Sequence, residues 1–251
     1  MFSKNHLIHV IQGDLADLTS LKEGLSGHTR LFLLYSNFED FVEKKVAIAK
    51  LAYAAGIKQI LDISAINASE SWGSGRIGVL HRDTEQGILN IPQRGTLVAL
   101  RPGRFMSNFL TFERPSSDGV IQDTANGNQS QGWISPNDIA AVAAAVLTDD
   151  VQKHGDIAYE LIGDVVTPNE LTSIASRVLN RPISYQEVSA STKYDHLMTT
   201  GRFPHAGAYH IATSIPTMPP ITTISTGIPI LIGREPETLE QFISLNKASL
   251  R

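Results

Sequence analysis

Polar and aromatic side chains follow four apolar runs of the sequence, and their types and positions suit ligand binding. They are Asp14, Tyr35-Ser36-Asn37, Ser64 and the stretch at residues 101–108. Each apolar run is typical of a buried strand, and ligands of parallel α/β sheets bind beyond the carboxyl ends of the strands. We therefore expect a binding site where these ends meet. Ordinary turn chemistry, which also favours Asn, Asp and Ser, is the structural alternative.

A glycine motif at residues 73–78, GSGRIG, has the spacing G-x-G-x-x-G that in dinucleotide-binding proteins cradles a pyrophosphate. It lies between a predicted strand and a predicted helix, but residues 65–72 separate it from the strand that it should follow directly. The next strand also ends in Arg101, where the motif requires an acid to hold a ribose. We interpret the motif as a loop away from any phosphate.

The sequence gives no indication of metal or thiol chemistry. It has no cysteine, and its eight histidines are scattered without the paired spacing of a metal site. His81 and Glu85 are one helical turn apart, but Arg82 and Asp83 between them favour a surface ion network. We predict that no metal is bound.

Charge and hydropathy exclude two classes of partner. The formal net charge is −4 and no basic stripe is present, which argues against a nucleic-acid partner. No apolar run reaches the roughly 20 residues needed to cross a bilayer. The first residues, MFSKNHLIHV, lack the apolar centre of a signal peptide. We expect a soluble, cytoplasmic protein that acts on a small molecule.

The elements that position these side chains follow from the alternation of apolar runs and amphipathic stretches. Strands are predicted at residues 7–11, 31–35, 57–64, 96–100 and 158–162, and helices at 18–24, 41–55, 80–91 and 236–246. The run LFLLY at 31–35 is apolar on both faces and predicts a central strand. Strict alternation indicates βαβ units, and therefore an α/β fold with a doubly wound parallel sheet.

Two further helices begin with the same signature. Ser135 and Thr167 are each followed by proline and, three positions on, by an acid, which is the capping-box pattern. Residues 213–232 are rich in proline and threonine and predict a long loop, one that could fold over a ligand.

Several motifs in this order resemble the NmrA-like family of atypical short-chain dehydrogenases/reductases, which includes NADPH-dependent quinone and azo-dye reductases. The matching segments are IQGDLADLTSLKEGLSG, LAYAAGIKQILDISAI, LHRDTEQGIL, TLVALRPGRFMSNFL, WISPNDIAAVAAAVL, YELIGDVVTPNELTSIASRVLNRPISYQEV and GREPETLEQFI. The resemblance covers nearly the whole chain. It implies a Rossmann-type sheet with a small substrate-side C-terminal region, and NADP as the favoured cofactor, with NAD as the alternative.

The resemblance also implies roles for individual residues. Ser64 matches the position of a catalytic serine, and His81 a histidine that faces the cleft, although a lone histidine at a helix start is also typical of a structural residue. Residues implied to contact the cofactor are Asp14, Tyr35, Ser36, Asn37, Arg104, Phe105 and Met106. Asn108 is implied to contact the substrate. Phe105 and Met106 could equally be core residues beneath the C-terminal region.

A Tyr-x-x-x-Lys pair, which supplies the proton in typical short-chain dehydrogenases, is missing. The residues four positions after the six tyrosines are Glu39, Ile57, Gly163, Ser189, Met198 and Thr213. The missing pair argues against carbonyl reduction more strongly than against quinone reduction, because a quinone oxygen can take its proton from water.

The chain departs from the family at its start. Family members begin with a strand, a Gly-x-x-Gly-x-x-Gly turn, a helix and a second strand, and the match here begins only after them. We expect residues 1–103 to form an N-terminally truncated dinucleotide-binding core. Residues 104–251 are expected to hold the remaining strands and the substrate-side region. A tenfold or greater loss of NADPH affinity is expected from the missing turn.

The sequence thus predicts an NAD(P)H-dependent oxidoreductase that transfers hydride to a quinone-like or other flat acceptor. Two alternatives stay open. One is a non-catalytic NAD(P)-responsive regulatory protein, which suits the missing tyrosine–lysine pair, and the other is an inactive fragment.

Overall fold

Nine strands and ten helices fold around a parallel sheet in the part of the chain that the computed structural model describes, residues 6–15, 17–70, 75–214 and 218–250. The strands are β1 Arg30–Leu33, β2 Gln59–Ile63, β3 Thr96–Pro102, β4 Arg104–Phe105, β5 Val120–Asp123, β6 Gln131–Ile134, β7 Ile157–Leu161, β8 Asp164–Val166 and β9 Ser184–Glu187. The helices are α1 Thr19–Leu25, α2 Phe41–Ala54, α3 Arg76–Leu89, α4 Pro136–Thr148, α5 Val151–His154, α6 Pro168–Leu179, α7 Ala190–Thr199, α8 His205–Ser214, α9 Gly227–Ile232 and α10 Leu239–Leu245. None of the helices described combines the length and apolar character needed to span a membrane.

The main sheet has the order β1-β2-β3-β7, and all its pairings are parallel. The prediction that residues 31–35, 57–64 and 96–100 form adjacent parallel strands is confirmed. Helices cover both faces, because neighbouring residues of each strand point to opposite sides. Ile60 and Leu97 pack with α2 and α3, whereas Leu61 and Val98 pack with α4 and α9.

The strand predicted at residues 7–11 is wrong. This segment forms no strand, and each of its side chains is exposed. A strand needs a neighbour to accept and donate its backbone hydrogen bonds, and none of the described strands pairs with it.

The prediction of a central strand at residues 31–35 is also wrong, because β1 lies at the edge of the sheet. Phe32 is 42% exposed and Leu34 is 64% exposed. An apolar composition indicates that a strand is able to be buried on both faces. It does not show that neighbouring elements are present to bury it.

The two helices with matching starts differ in detail. At α6, Thr167 and Glu170 form the complete capping box. At α4 the Ser135 hydroxyl accepts from the backbone N–H of Asn137, while Asp138 turns away to accept from the N–H of Glu237 at 2.7 Å. Asp138 thereby ties the start of α4 to the segment before α10. The predicted loop at 213–232 contains the last two residues of α8 and all of α9, so that prediction is wrong for residues 213–214 and 227–232.

Beyond β3 the chain builds two small sheets around a separate core. One has the order β4-β6-β8 and the other pairs β5 with β9. Phe109, Trp133 and Phe242 are each at most 4% exposed within this core. This region covers the carboxyl end of β3 and supplies one wall of the cavity described next.

Candidate active site

A largely apolar cavity of about 410 Å³ lies at the carboxyl ends of β1, β2 and β3. Seven of the ten residues that the sequence assigned to a site line it: Tyr35, Ser36, Ser64, His81, Arg104, Phe105 and Asn108. They come together because parallel strands end at one edge of the sheet.

Asp14, Asn37 and Met106 do not line this cavity. The Asp14 carbonyl accepts from the backbone N–H of Asp17 at 3.0 Å, in an exposed turn. The Asn37 side chain accepts from the N–H of Glu39 at 3.2 Å, which is ordinary turn chemistry. Met106 is fully buried in the C-terminal core. The cofactor contacts of these three residues stay predictions, and all three residues lie outside the lining of the cavity.

The Ser64 hydroxyl is held by a buried carboxylate. Its Oγ donates to Oε1 of Glu85 at 2.5 Å, and the side chains are 3% and 7% exposed. Arg101 holds that same carboxylate through Nη2, 2.5 Å from Oε2. Because the hydroxyl proton is committed to Glu85, the Ser64 oxygen is left to accept a hydrogen bond from the cavity.

His81 lines the cavity with an imidazole that is only 7% exposed. Its Nδ1 is buried and has no hydrogen-bond partner among the residues that the structure describes, and the ring makes an edge contact with Phe41 at a centroid distance of 4.8 Å. Burial, helped by the charge of Lys45, lowers the pKa of His81 to about 3. The imidazole is therefore neutral at physiological pH, with one N–H to donate and one nitrogen to accept.

A buried ion pair supports this wall, and the sequence analysis missed it. Lys45 Nζ lies 2.6 Å from Asp62 Oδ1, donates to the carbonyl of Ile63 at 2.9 Å, and sits 4.6 Å from the centre of the Phe41 ring. Burial raises the pKa of Asp62 to about 6, although Lys45 opposes the shift. The signal was available, because an acid inside the apolar strand QILDI requires a cation nearby.

The guanidinium of Arg104 is the centre of a second buried network. Its Nη2 lies 2.9 Å from Glu113 Oε1 and 2.6 Å from Asp123 Oδ2, and its plane lies over Trp133 at 4.6 Å. Burial alone would lower the pKa of Arg104, but the two carboxylates outweigh it and raise that pKa. Asn108 Nδ2 donates to Glu113 at 3.4 Å. The positive charge is thus largely neutralised within the protein.

Tyr35 and Ser36 form the rim beside β1. The Tyr35 hydroxyl donates to Asp40 Oδ1 at 2.6 Å, and this bond raises the pKa of Tyr35. Ser36 is exposed. A tyrosine held in this way is a weak proton donor.

Helix α8 closes the cavity opposite the sheet, and the sequence analysis also missed it. His210, Ile211 and Ser214 line the cavity from this helix. Burial, followed by the charge of Arg76, lowers the pKa of His210. Apolar residues in this stretch do not recur clearly at helical spacing, so the sequence did not predict a helix here or its contact with a ligand.

The glycine motif at 73–78 is partly helical. Residues 73 and 74 lie outside the described residues, Gly75 has φ +152°, and α3 begins at Arg76. The prediction of a loop is therefore wrong for residues 76–78. Gly78 is required for packing, since a Cβ there would lie 2.5 Å from the carbonyl oxygen of Asn67.

A parallel sheet covered on both faces, with a cavity at the carboxyl ends of its strands, defines a Rossmann-type α/β protein. The model of the NmrA-like family matches residues 2–243, and the chain belongs to that family. The resemblance and the fold class that the sequence indicated are thereby confirmed.

Several of the known proteins similar to this chain are reductases. A (4-alkanoyl-5-oxo-2,5-dihydrofuran-3-yl)methyl phosphate reductase from Streptomyces griseus is 30% identical over 203 residues, which cover 80% of this chain and 70% of the relative. An NAD(P)H azoreductase from Xenophilus azovorans is 24% identical over 245 residues, 96% of this chain and 84% of the relative. An Escherichia coli NADPH-dependent quinone oxidoreductase, solved with NADPH, superimposes with a TM-score of 0.82 at 25% identity. That superposition covers 95% of this chain and 83% of the other.

Proposed function

We propose that this protein is an NAD(P)H-dependent oxidoreductase that reduces a flat, quinone-like acceptor in the cavity at the ends of β1, β2 and β3. The observation that carries the proposal is the pairing of apolar walls with the neutral imidazole of His81, which lines the same cavity. Apolar walls of this kind bind a planar conjugated ring, and the imidazole donates a hydrogen bond to a carbonyl oxygen of that ring. The reductase relatives support the reaction type, and the NADPH complex of a similar structure supports NADP as the cofactor.

The cavity fits the nicotinamide end of such a cofactor. Ile63, Pro102 and Phe105 supply apolar surface, and Phe105 is 36% exposed. The imidazole of His81 and the accepting oxygen of Ser64 both line the cavity and supply the few polar contacts that orient a ring in such a site. A bound nicotinamide would supply the hydride, and the reduction of a quinone to a hydroquinone consumes that hydride and one proton.

Each polar residue has a role set by its hydrogen bonds. Neutral His81 donates an N–H to the acceptor's carbonyl oxygen and stabilises the negative charge that develops there. With a pKa of about 3 it carries no second proton to give at neutral pH, so water protonates the product. Ser64 accepts a hydrogen bond from an amide or hydroxyl of the bound ligand.

Steady-state oxidation of NADPH in the presence of menadione tests the proposal. We expect menadione-dependent oxidation by the wild type, and about a tenfold or greater loss of kcat/KM in His81→Phe, since a charge-assisted hydrogen bond is worth about 1.5–3 kcal/mol. His9→Phe, an exposed position, is the control. Binding of NADPH without any acceptor-dependent oxidation would contradict the proposed enzymatic activity and would favour the regulatory alternative. The cytoplasmic location and the absence of nucleic-acid binding stay predictions.

A further inference from the structure

A second cavity, of about 1060 Å³, lies between the loop at residues 111–118 and helix α7, with β5 and β9 at its base. We name it the basic cleft. Phe112 and Glu113 line both this cleft and the candidate active site, so the two cavities share a wall. Its lining is far more polar than that of the candidate active site.

Positive side chains from separate parts of the chain converge on the basic cleft. They are Arg114, Arg181, Lys193 and Arg202, with His196 beside them. The acids in the lining are Glu113 and Asp118. The chain as a whole carries a formal charge of −4, so the positive charge of this surface is opposite in sign to the net charge of the chain.

Internal pairing accounts for only part of this charge. The buried carboxylates of Glu113 and Asp123 pair with Arg104, and Asp123 also lies 3.6 Å from Lys193 Nζ. That buried quartet is neutral: two cations and two anions. Three guanidinium groups and the Asp118 carboxylate remain in the lining, which leaves two positive charges.

Two of the three arginines are free to bind. Arg181 Nη1 donates to the carbonyl of Ser117 at 3.3 Å, which fixes its position at the wall. The guanidinium groups of Arg114 and Arg202 have no hydrogen bond or ion pair within the described ranges. Arginine presents paired N–H donors whose geometry matches phosphate oxygens, and clustered arginines are the usual recognition element for that group.

We propose that the basic cleft is a binding site for a phosphate dianion, either inorganic phosphate or the phosphate group of a small molecule. The charge of the site matches that of a phosphate at neutral pH, and its open, polar lining does not suit an apolar ring. Binding of phosphate at this site does not depend on the proposed reductase activity, whereas the identification of its source by kinetics rests on that proposed function.

Calorimetric titration with inorganic phosphate, at constant ionic strength, tests the site without any turnover. The double variant Arg114→Gln/Arg202→Gln removes two charges from the cleft, and Lys22→Gln/Lys50→Gln removes two from exposed positions on α1 and α2. We expect saturable binding to the wild type and the control, and binding about tenfold weaker in the cleft variant, which corresponds to about 1.4 kcal/mol. Absence of binding to the wild type, or equal weakening in both variants, would overturn the site.

A second measurement identifies the source of the phosphate. KM for 1,4-naphthoquinone is compared with KM for a naphthoquinone that carries a phosphate ester. If the phosphate belongs to the acceptor, the cleft variant raises KM for the phosphorylated acceptor alone. If it is free phosphate, KM for both acceptors is unchanged while the calorimetric loss persists. Both results support the site, and an equal rise in KM for both acceptors contradicts it.

Discussion

The ammonium group of Lys45 lies 2.6 Å from the carboxylate of Asp62, and neither side chain has any exposed surface. Asp62 is on β2 directly before Ile63, and Ile63 and Phe41 both line the cavity. The pair joins α2 to the sheet and holds Phe41, whose ring in turn contacts His81. A structural ion pair therefore fixes the position of the histidine that faces the cavity.

Removing one partner of this pair should be far more damaging than removing both. Lys45→Met leaves the Asp62 carboxylate buried without a cation, and we expect the free energy of unfolding to fall by about 3–5 kcal/mol. Lys45→Met/Asp62→Leu should recover most of that loss, because replacing a buried pair by apolar residues is often close to neutral. Urea denaturation of Lys45→Met, Asp62→Leu and the double variant measures this. Additive losses would contradict the pairing.

Ser64 should affect catalysis more than stability. Ser64→Ala removes one hydrogen bond, while Glu85 keeps its ion pair with Arg101, so we expect a stability loss of about 1 kcal/mol. In the proposed reaction the same change removes a ligand contact and should lower kcat/KM about tenfold. Ser69→Ala, at an exposed hydroxyl that donates to the carbonyl of Ile66, is the matched control. Equal effects on kcat/KM in both variants would remove Ser64 from the site.

The fold followed from periodicity because each main-sheet strand is a short apolar run bounded by polar or glycine residues. α2 was predicted to within one residue, since its apolar spacing ends at Gly56, which has φ +99°. Prediction failed where burial depends on neighbours, as at β1 and residues 7–11. It also failed for β4, β5, β8 and β9, which are two to four residues long and carry no period of their own.

Strand positions predicted the part of the candidate site that lies directly after a strand, such as Ser64 and Arg104, whereas His81, on α3, was assigned from the family resemblance. His210 was missed because it reaches the cavity from α8, which lies far along the chain and packs against α7. Met106 was predicted to contact the cofactor because it belongs to a turn that resembles the family's, but its side chain packs in the C-terminal core. Position in the chain does not reveal which face a turn residue presents.

The exposed edge of the main sheet predicts self-association. Among the described strands β1 pairs on one side only, and its residue Phe32 is 42% exposed. Exposed strand edges with apolar side chains pair with other chains. We expect the 251-residue chain to associate increasingly with concentration, and Phe32→Lys to reduce that association. Sedimentation velocity over a concentration series measures it, with Ile230→Lys, at an exposed residue of α9, as the control. The same reduction in both variants would show that net charge, not the strand edge, controls association.

The burial of His81 should make the free energy of unfolding depend on pH. In the folded chain its pKa is lowered to about 3, chiefly by burial, whereas the unfolded value is close to 6.5. Between these two pH values the unfolded state binds a proton that the folded state does not, so stability falls as pH falls. One proton corresponds to about 1.4 kcal/mol per pH unit, and the wild type should lose about 2 kcal/mol through this group between pH 6.5 and 5.

His81→Gln has no titrating group at this position, so its stability should fall by about 2 kcal/mol less than that of the wild type over the same pH range. His9→Gln, at an exposed histidine, should keep the wild-type pH dependence. Urea denaturation of the three proteins at a series of pH values gives the slopes directly. If His81→Gln and the wild type lose stability in parallel, the pKa of His81 in the folded chain is close to its unfolded value. The imidazole would then take up a proton in the cavity near pH 6.5, and the lowered pKa on which its proposed role as a purely neutral hydrogen-bond donor depends would be wrong.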